Sequence, residues 1–62
     1  MKNILVVDDD RSFLSSLVEM FYLIARSYHI ITAENSDQAL MILRSVPVDL
    51  VIPDIRMQVI TD

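Results

Sequence analysis

Apolar and polar positions fall into blocks along the chain. Ile4-Leu5-Val6-Val7 is a continuous apolar run, rich in β-branched residues and stopped by Asp8-Asp9-Asp10. Such a run predicts a short strand buried on both faces, the habit of a parallel sheet. Arg11 to Arg26 reads as a helix, with the aspartates and Ser12 offering N-cap oxygens. Tyr28 to Ala33 predicts a second strand, and Asn35, Ser36 and Asp37 offer caps for a helix over 36–45, with Ala39, Leu40, Ile42 and Leu43 among its apolar positions. Val46-Pro47 closes that helix, because proline disfavours helical geometry in the residue before it. Asp49 to Ile52 predicts a third strand, ending at Pro53-Asp54, and Ile55 to Asp62 shows no clear period.

The pattern is βαβαβ, an α/β fold with a parallel sheet and right-handed crossovers. Placing the all-apolar first strand in the middle gives the flavodoxin-like order 2-1-3, with one helix on each face. Ligands of such open sheets sit beyond the carboxyl ends of the strands, where the order reverses. Those ends carry Asp8, Asp9 and Asp10 after the first strand and Asp54 after the third. Acids far apart in sequence thus converge at one rim.

Composition narrows the possible chemistry. With 62 residues, 53% hydrophobic and 23% charged, the chain reads as one packed unit, residues 1–62, with no linker or repeat. No cysteine is present for disulfides or thiolate metal sites, and His29, the lone histidine, excludes multi-histidine zinc patterns. The net charge of −4 leaves no basic patch for a nucleic-acid backbone, so direct nucleic-acid binding is not expected. Leu17 to Ala25, the most apolar stretch, is nine residues long and broken by Glu19, too short to span a bilayer. The N-terminus lacks a signal-peptide pattern. The expectation is a soluble, cytoplasmic chain without a membrane partner.

Carboxylates crowded at one rim repel one another, and a divalent cation relieves the repulsion. All-oxygen ligands suit Mg²⁺, which keeps several waters and takes one or two protein carboxylates. A carboxylate beside Mg²⁺ can also attack phosphorus to give an acyl phosphate. The alternative is that Asp8 to Asp10 only cap the first helix and complement its dipole. Three adjacent acids opposite Asp54 favour the site over the cap alone.

Three segments follow the order and spacing of the receiver domain of bacterial two-component response regulators: Ile4-Leu5-Val6-Val7-Asp8-Asp9-Asp10, Ala33-Glu34-Asn35-Ser36-Asp37-Gln38-Ala39-Leu40, and Val48-Asp49-Leu50-Val51-Ile52-Pro53-Asp54-Ile55-Arg56-Met57. The chain resembles that family across essentially its whole length. The resemblance implies that Asp54 is the phospho-accepting residue and that Asp8 and Asp9 are the Mg²⁺-binding pair, Asp9 directly and Asp8 through water. It also implies that Asp54 and the backbone carbonyl of Arg56 are metal ligands; Asp10, where the family often has another polar residue, takes a capping role instead. A histidine kinase or phosphotransfer protein becomes the implied phosphodonor, and no enzymatic turnover of the chain's own is expected.

Departures from the family shape the remaining expectations. Receiver domains have five strands and five helices, so the pattern here corresponds to an N-terminal half only. The family's Ser or Thr after the fourth strand and Lys after the fifth have no counterpart. Gln58 stands for a usual proline, Asp62 and Ser36 for usual glycines, and the chain contains no glycine, so its turns must avoid positive φ or put Asn or Asp there. A truncated module with a weak or relic Mg²⁺ and phospho-acceptor site is the reading that results.

A three-stranded sheet exposes the edge of its third strand. Eight of the nine residues from Leu17 to Ala25 are apolar, counting Tyr22, so that helix needs burial on more than one side. A homodimer would meet both needs, either through third strands pairing antiparallel about a twofold or through the bare helical and sheet surfaces of two copies. A working phospho-acceptor switch and a purely structural dimerisation module are the two alternatives. Met20, Met41 and Met57 read as core or interface filler, Tyr22 and Tyr28 as packing residues, and His29 and Arg56 as solvent-facing.

Overall fold

A computed structural model describes residues 1–53. The chain runs β1 (Lys2–Val7), α1 (Arg11–Ile24), β2 (Tyr28–Ala33), α2 (Ser36–Ser45) and β3 (Leu50–Ile52). Both pairings of β1 are parallel and the sheet order is β2-β1-β3, as the apolar pattern of the first strand predicts.

Alternation along β1 assigns one helix to each face. Ile4 and Val6 pack with Leu14 of α1, alongside Leu17 and Ile30. Leu5 and Val7 point the other way and pack with Ala33 and Ala39, alongside Ile31, Ile42 and Val48. Because every second side chain of a strand serves one face, a strand feeding two helices must be apolar at every position. That explains the unbroken Ile4–Val7 run.

Helix ends follow from named oxygens. Asp10 is the N-cap of α1, its Oδ1 accepting the Phe13 N–H at 3.1 Å. Ser12 lies inside the helix, so the cap role offered to it falls to Asp10 alone. At α2, Asn35 Oδ1 accepts from Gln38 N–H at 2.9 Å, while Gln38 Oε1 accepts from Glu34 N–H at 2.7 Å. This is a reciprocal cap of the kind that satisfies two otherwise unpaired donors. All four helix-capping residues, Asp10, Ala25, Asn35 and Val46, keep negative φ. A glycine-free chain therefore turns without left-handed residues at its helix ends.

Three boundaries differ from the sequence expectation. α1 ends at Ile24 rather than Arg26, because Ala25 leaves helical geometry (φ −142°) and its carbonyl accepts the Tyr28 N–H at 3.1 Å, turning the chain into β2. β1 begins at Lys2, whose N–H donates to Ser27 at 3.3 Å and which lies opposite Tyr28. β3 begins at Leu50, since Asp49 is engaged in anchoring the strand rather than extending it. Asn3 provides the anchor. Its backbone N–H donates to Asp49 Oδ2 and its Nδ2 to the Pro47 carbonyl, both at 2.7 Å, while Asp49 N–H donates to the Asn3 carbonyl at 2.8 Å.

Candidate functional site

The acid cluster sits at the carboxyl end of the central strand. Asp8 N–H donates to the Ala33 carbonyl at 3.0 Å, tying the end of β1 to β2. The Asp8 side chain is 8% exposed, the only buried charged side chain among the described residues. Its Oδ1 accepts the Asp10 N–H at 2.9 Å, which holds the 8–10 turn in shape. Asp9 and Asp10 are exposed. Asp10 faces back onto α1 as its cap, leaving Asp8 and Asp9 as the acids at the rim.

The burial of Asp8 carries weight. A carboxylate is taken out of water only where polar partners or a cation compensate it. One such partner is the Asp10 N–H. A helix cap alone would require only Asp10. The reading in which all three aspartates merely cap the helix accounts for Asp10; Asp8 instead shapes the 8–10 turn by accepting the Asp10 N–H.

Neighbouring charge is already organised. Arg11 Nε donates to Glu34 Oε2 at 2.8 Å, an exposed ion pair that joins the start of α1 to the residue after β2. It borders an open cleft of about 390 Å³ on the outer side of α1, lined by Arg11, Leu14, Ser15, Val18, Thr32 and Glu34. Sequence reading did not single out this pair. Residues 11 and 34 are distant in the chain and meet only because β1 and β2 end side by side.

Asp54 and Arg56, the other two residues assigned to the site, lie outside the described residues. What the fold does give is the position of the strand that leads to them. β3 lies directly beside β1, with Val6 opposite Ile52. Among the described residues, no group of three or more His, Cys, Asp or Glu side chains could hold a metal ion. Asp8 and Asp9 offer hard oxygen donors of the type Mg²⁺ takes, one or two carboxylates with water completing the shell, so the donor chemistry fits that ion.

His29 is exposed on the outer strand, at the opposite end from the acids, and its Nδ1 lies 3.3 Å from Asn3 Oδ1. Tyr28 packs edge-on to Phe21, as its packing role predicts, with ring centroids 6.3 Å apart. Tyr22 is instead exposed, its ring stacked beneath the Arg26 guanidinium at 5.3 Å. No helix among the described residues is long and apolar enough to cross a membrane.

Comparison with known proteins bears on the whole arrangement. No curated protein and no solved structure matches the chain. The family model of the response regulator receiver domain does match, over residues 4–61. That span covers both the acidic turn after β1 and the segment that follows β3. Together with the β2-β1-β3 parallel sheet, the match shows that the chain belongs to the response regulator receiver domain family.

Proposed function

We propose that this receiver module binds Mg²⁺ weakly through Asp8 and Asp9 at its acidic rim and acts mainly by association with a second copy. The observation that carries the metal reading is the buried Asp8 next to exposed Asp9, at the end of the central strand and beside the strand that leads to Asp54. Asp8, Asp9 and the main-chain carbonyl of Arg56 would supply the oxygen donors. Mg²⁺ bound there would offset negative charge on an incoming phosphoryl group. Asp54 is the carboxylate placed by sequence to accept that group, from a histidine kinase or phosphotransfer protein. The module would have no catalytic turnover of its own.

Association rests on a separate observation. All three residues of β3 are exposed, and Met20 and Ile24 of α1 are 46% and 76% exposed. Apolar surface left open on this scale marks an interaction site. A purely structural dimerisation module, with the acids as a relic, is the competing reading.

Incubation with a small phosphodonor and Mg²⁺, read by intact mass, tests the site. One added phosphate that disappears in Asp54→Ala is the expected result. The absence of any adduct on the folded protein would reduce the rim to a relic.

A further inference from the structure

The apolar surface has a definite shape. On α1, Arg11, Ser15 and Val18 face the outer edge of the sheet, where they line the cleft beside Thr32 and Glu34. Leu14 and Leu17 face the core. Phe13, Met20 and Ile24, spaced seven and four residues apart, share with Leu17 the flank of the helix that faces away from this cleft. All three are exposed.

Leu50 and Ile52 lie opposite Ile4 and Val6 in parallel register, so they share the α1 face of the sheet. They are exposed as well, at 53% and 42%. Helix flank and β3 therefore border an open apolar corner on the same side of the sheet, with Phe13, Met20 and Ile24 on the helix and Leu50 and Ile52 on the strand.

Charge on the molecule is divided between its two ends. Parallel strands and antiparallel helices put both helix N-termini at the carboxyl ends of the strands. That end carries Asp8, Asp9, Asp10, Glu34 and Asp37 against Arg11, a net of −4 among the described residues (five acids, one base). The other end carries Lys2, Arg26 and Arg44 against Asp49, a net of +2 (three bases, one acid). Acids near helix N-termini and bases near C-termini complement the helix dipoles, which explains how the division arises within one chain. The apolar corner runs the length between the two poles, from Phe13 at the acidic end to Ile24 at the basic end.

We propose that the corner is covered by a second copy of this chain, packed antiparallel about a twofold axis so that the basic end of each protomer meets the acidic end of the other. A parallel arrangement would set −4 against −4 across the same apolar contact, and like charges brought together at an interface are disfavoured. The inference deepens the association reading above and fixes its orientation. It is independent of the metal and phosphoryl chemistry.

Sedimentation equilibrium of the chain, between about 0.05 M and about 0.5 M NaCl, reads the orientation directly, because salt over that range shortens the reach of exposed charges severalfold. The expected result is a dimer whose Kd rises roughly tenfold or more with salt. The double variant Lys2→Glu/Arg26→Glu turns the basic end from +2 to −2, and its Kd at low salt should rise at least about tenfold. In a parallel dimer the same variant would exchange one like-charged contact for another and leave Kd unchanged. Ile24→Glu, at the exposed apolar wall, should give a folded monomer by circular dichroism. A dimer tightened by salt, or indifferent to the charge reversal, would overturn the orientation and leave association standing. A folded monomer for the unaltered chain would overturn both.

Discussion

Leu5→Ala is expected to abolish cooperative folding or to lower the melting temperature by more than about 10 °C. Leu5 is 0% exposed, sits at the middle of the central strand, and touches the cluster of Val7, Ala33 and Ala39 that seats α2. Truncating a buried leucine costs roughly 2–5 kcal/mol in transfer and cavity terms. A chain of 62 residues has a total stability on the order of 3–9 kcal/mol. A single methyl-bearing branch thus accounts for a large share of the whole. Leu23→Ala is the matched control, since Leu23 is exposed on the solvent side of α1 and its loss should change stability by no more than about 0.5 kcal/mol. Thermal melts followed by circular dichroism compare the two. Equal effects from both variants would mean that the core is not organised around β1.

Asp9→Ala is expected to weaken Mg²⁺ binding strongly while leaving the fold unchanged. Asp9 is exposed at the rim, whereas Asp10 holds the cap of α1. Attraction between one carboxylate and a dication is about 2 kcal/mol even at about 4 Å and the dielectric of water, so losing a direct ligand should raise Kd roughly thirtyfold or more. Asp10→Ala should do the reverse, costing helix stability of about 1 kcal/mol with a much smaller effect on the ion. Calorimetric Mg²⁺ titration beside thermal melts separates the roles. If Asp9→Ala retained full affinity, its assignment as a direct ligand would be lost.

Much of the fold was legible because the β1 sequence has one physical explanation. Four consecutive apolar residues, two β-branched at its end, must be buried on both faces, and only the middle of a parallel sheet does that. Tyr28–Ala33 and Ser36–Ser45 match their predicted bounds because Asn35 and Pro47 are strong local signals. The capping role of Asp10 was equally legible. Less accessible were features that depend on the sheet already being formed. Asn3 anchors β3 through residues 47 and 49, and nothing local marks it for that task. The Arg11–Glu34 pair has the same origin. The exit from α1 at Ala25 was missed because the apolar pattern continues through it, and the tight turn into β2 overrides that pattern.

For the site, the sequence identified the acids and the fold supplies half of their relationship. Asp8 and Asp9 stand at the end of the central strand as expected, and the burial of Asp8 is a finding the sequence could not give. The proposed chemistry depends on Asp54 lying near them, a proposal supported by β3 pairing beside β1.

Replacing Mg²⁺ with paramagnetic Mn²⁺ and recording amide line broadening by nuclear magnetic resonance measures that proximity. Broadening centred jointly on residues 8–10 and on Asp54 is the predicted result. Broadening at 8–10 that leaves Asp54 sharp would contradict the account.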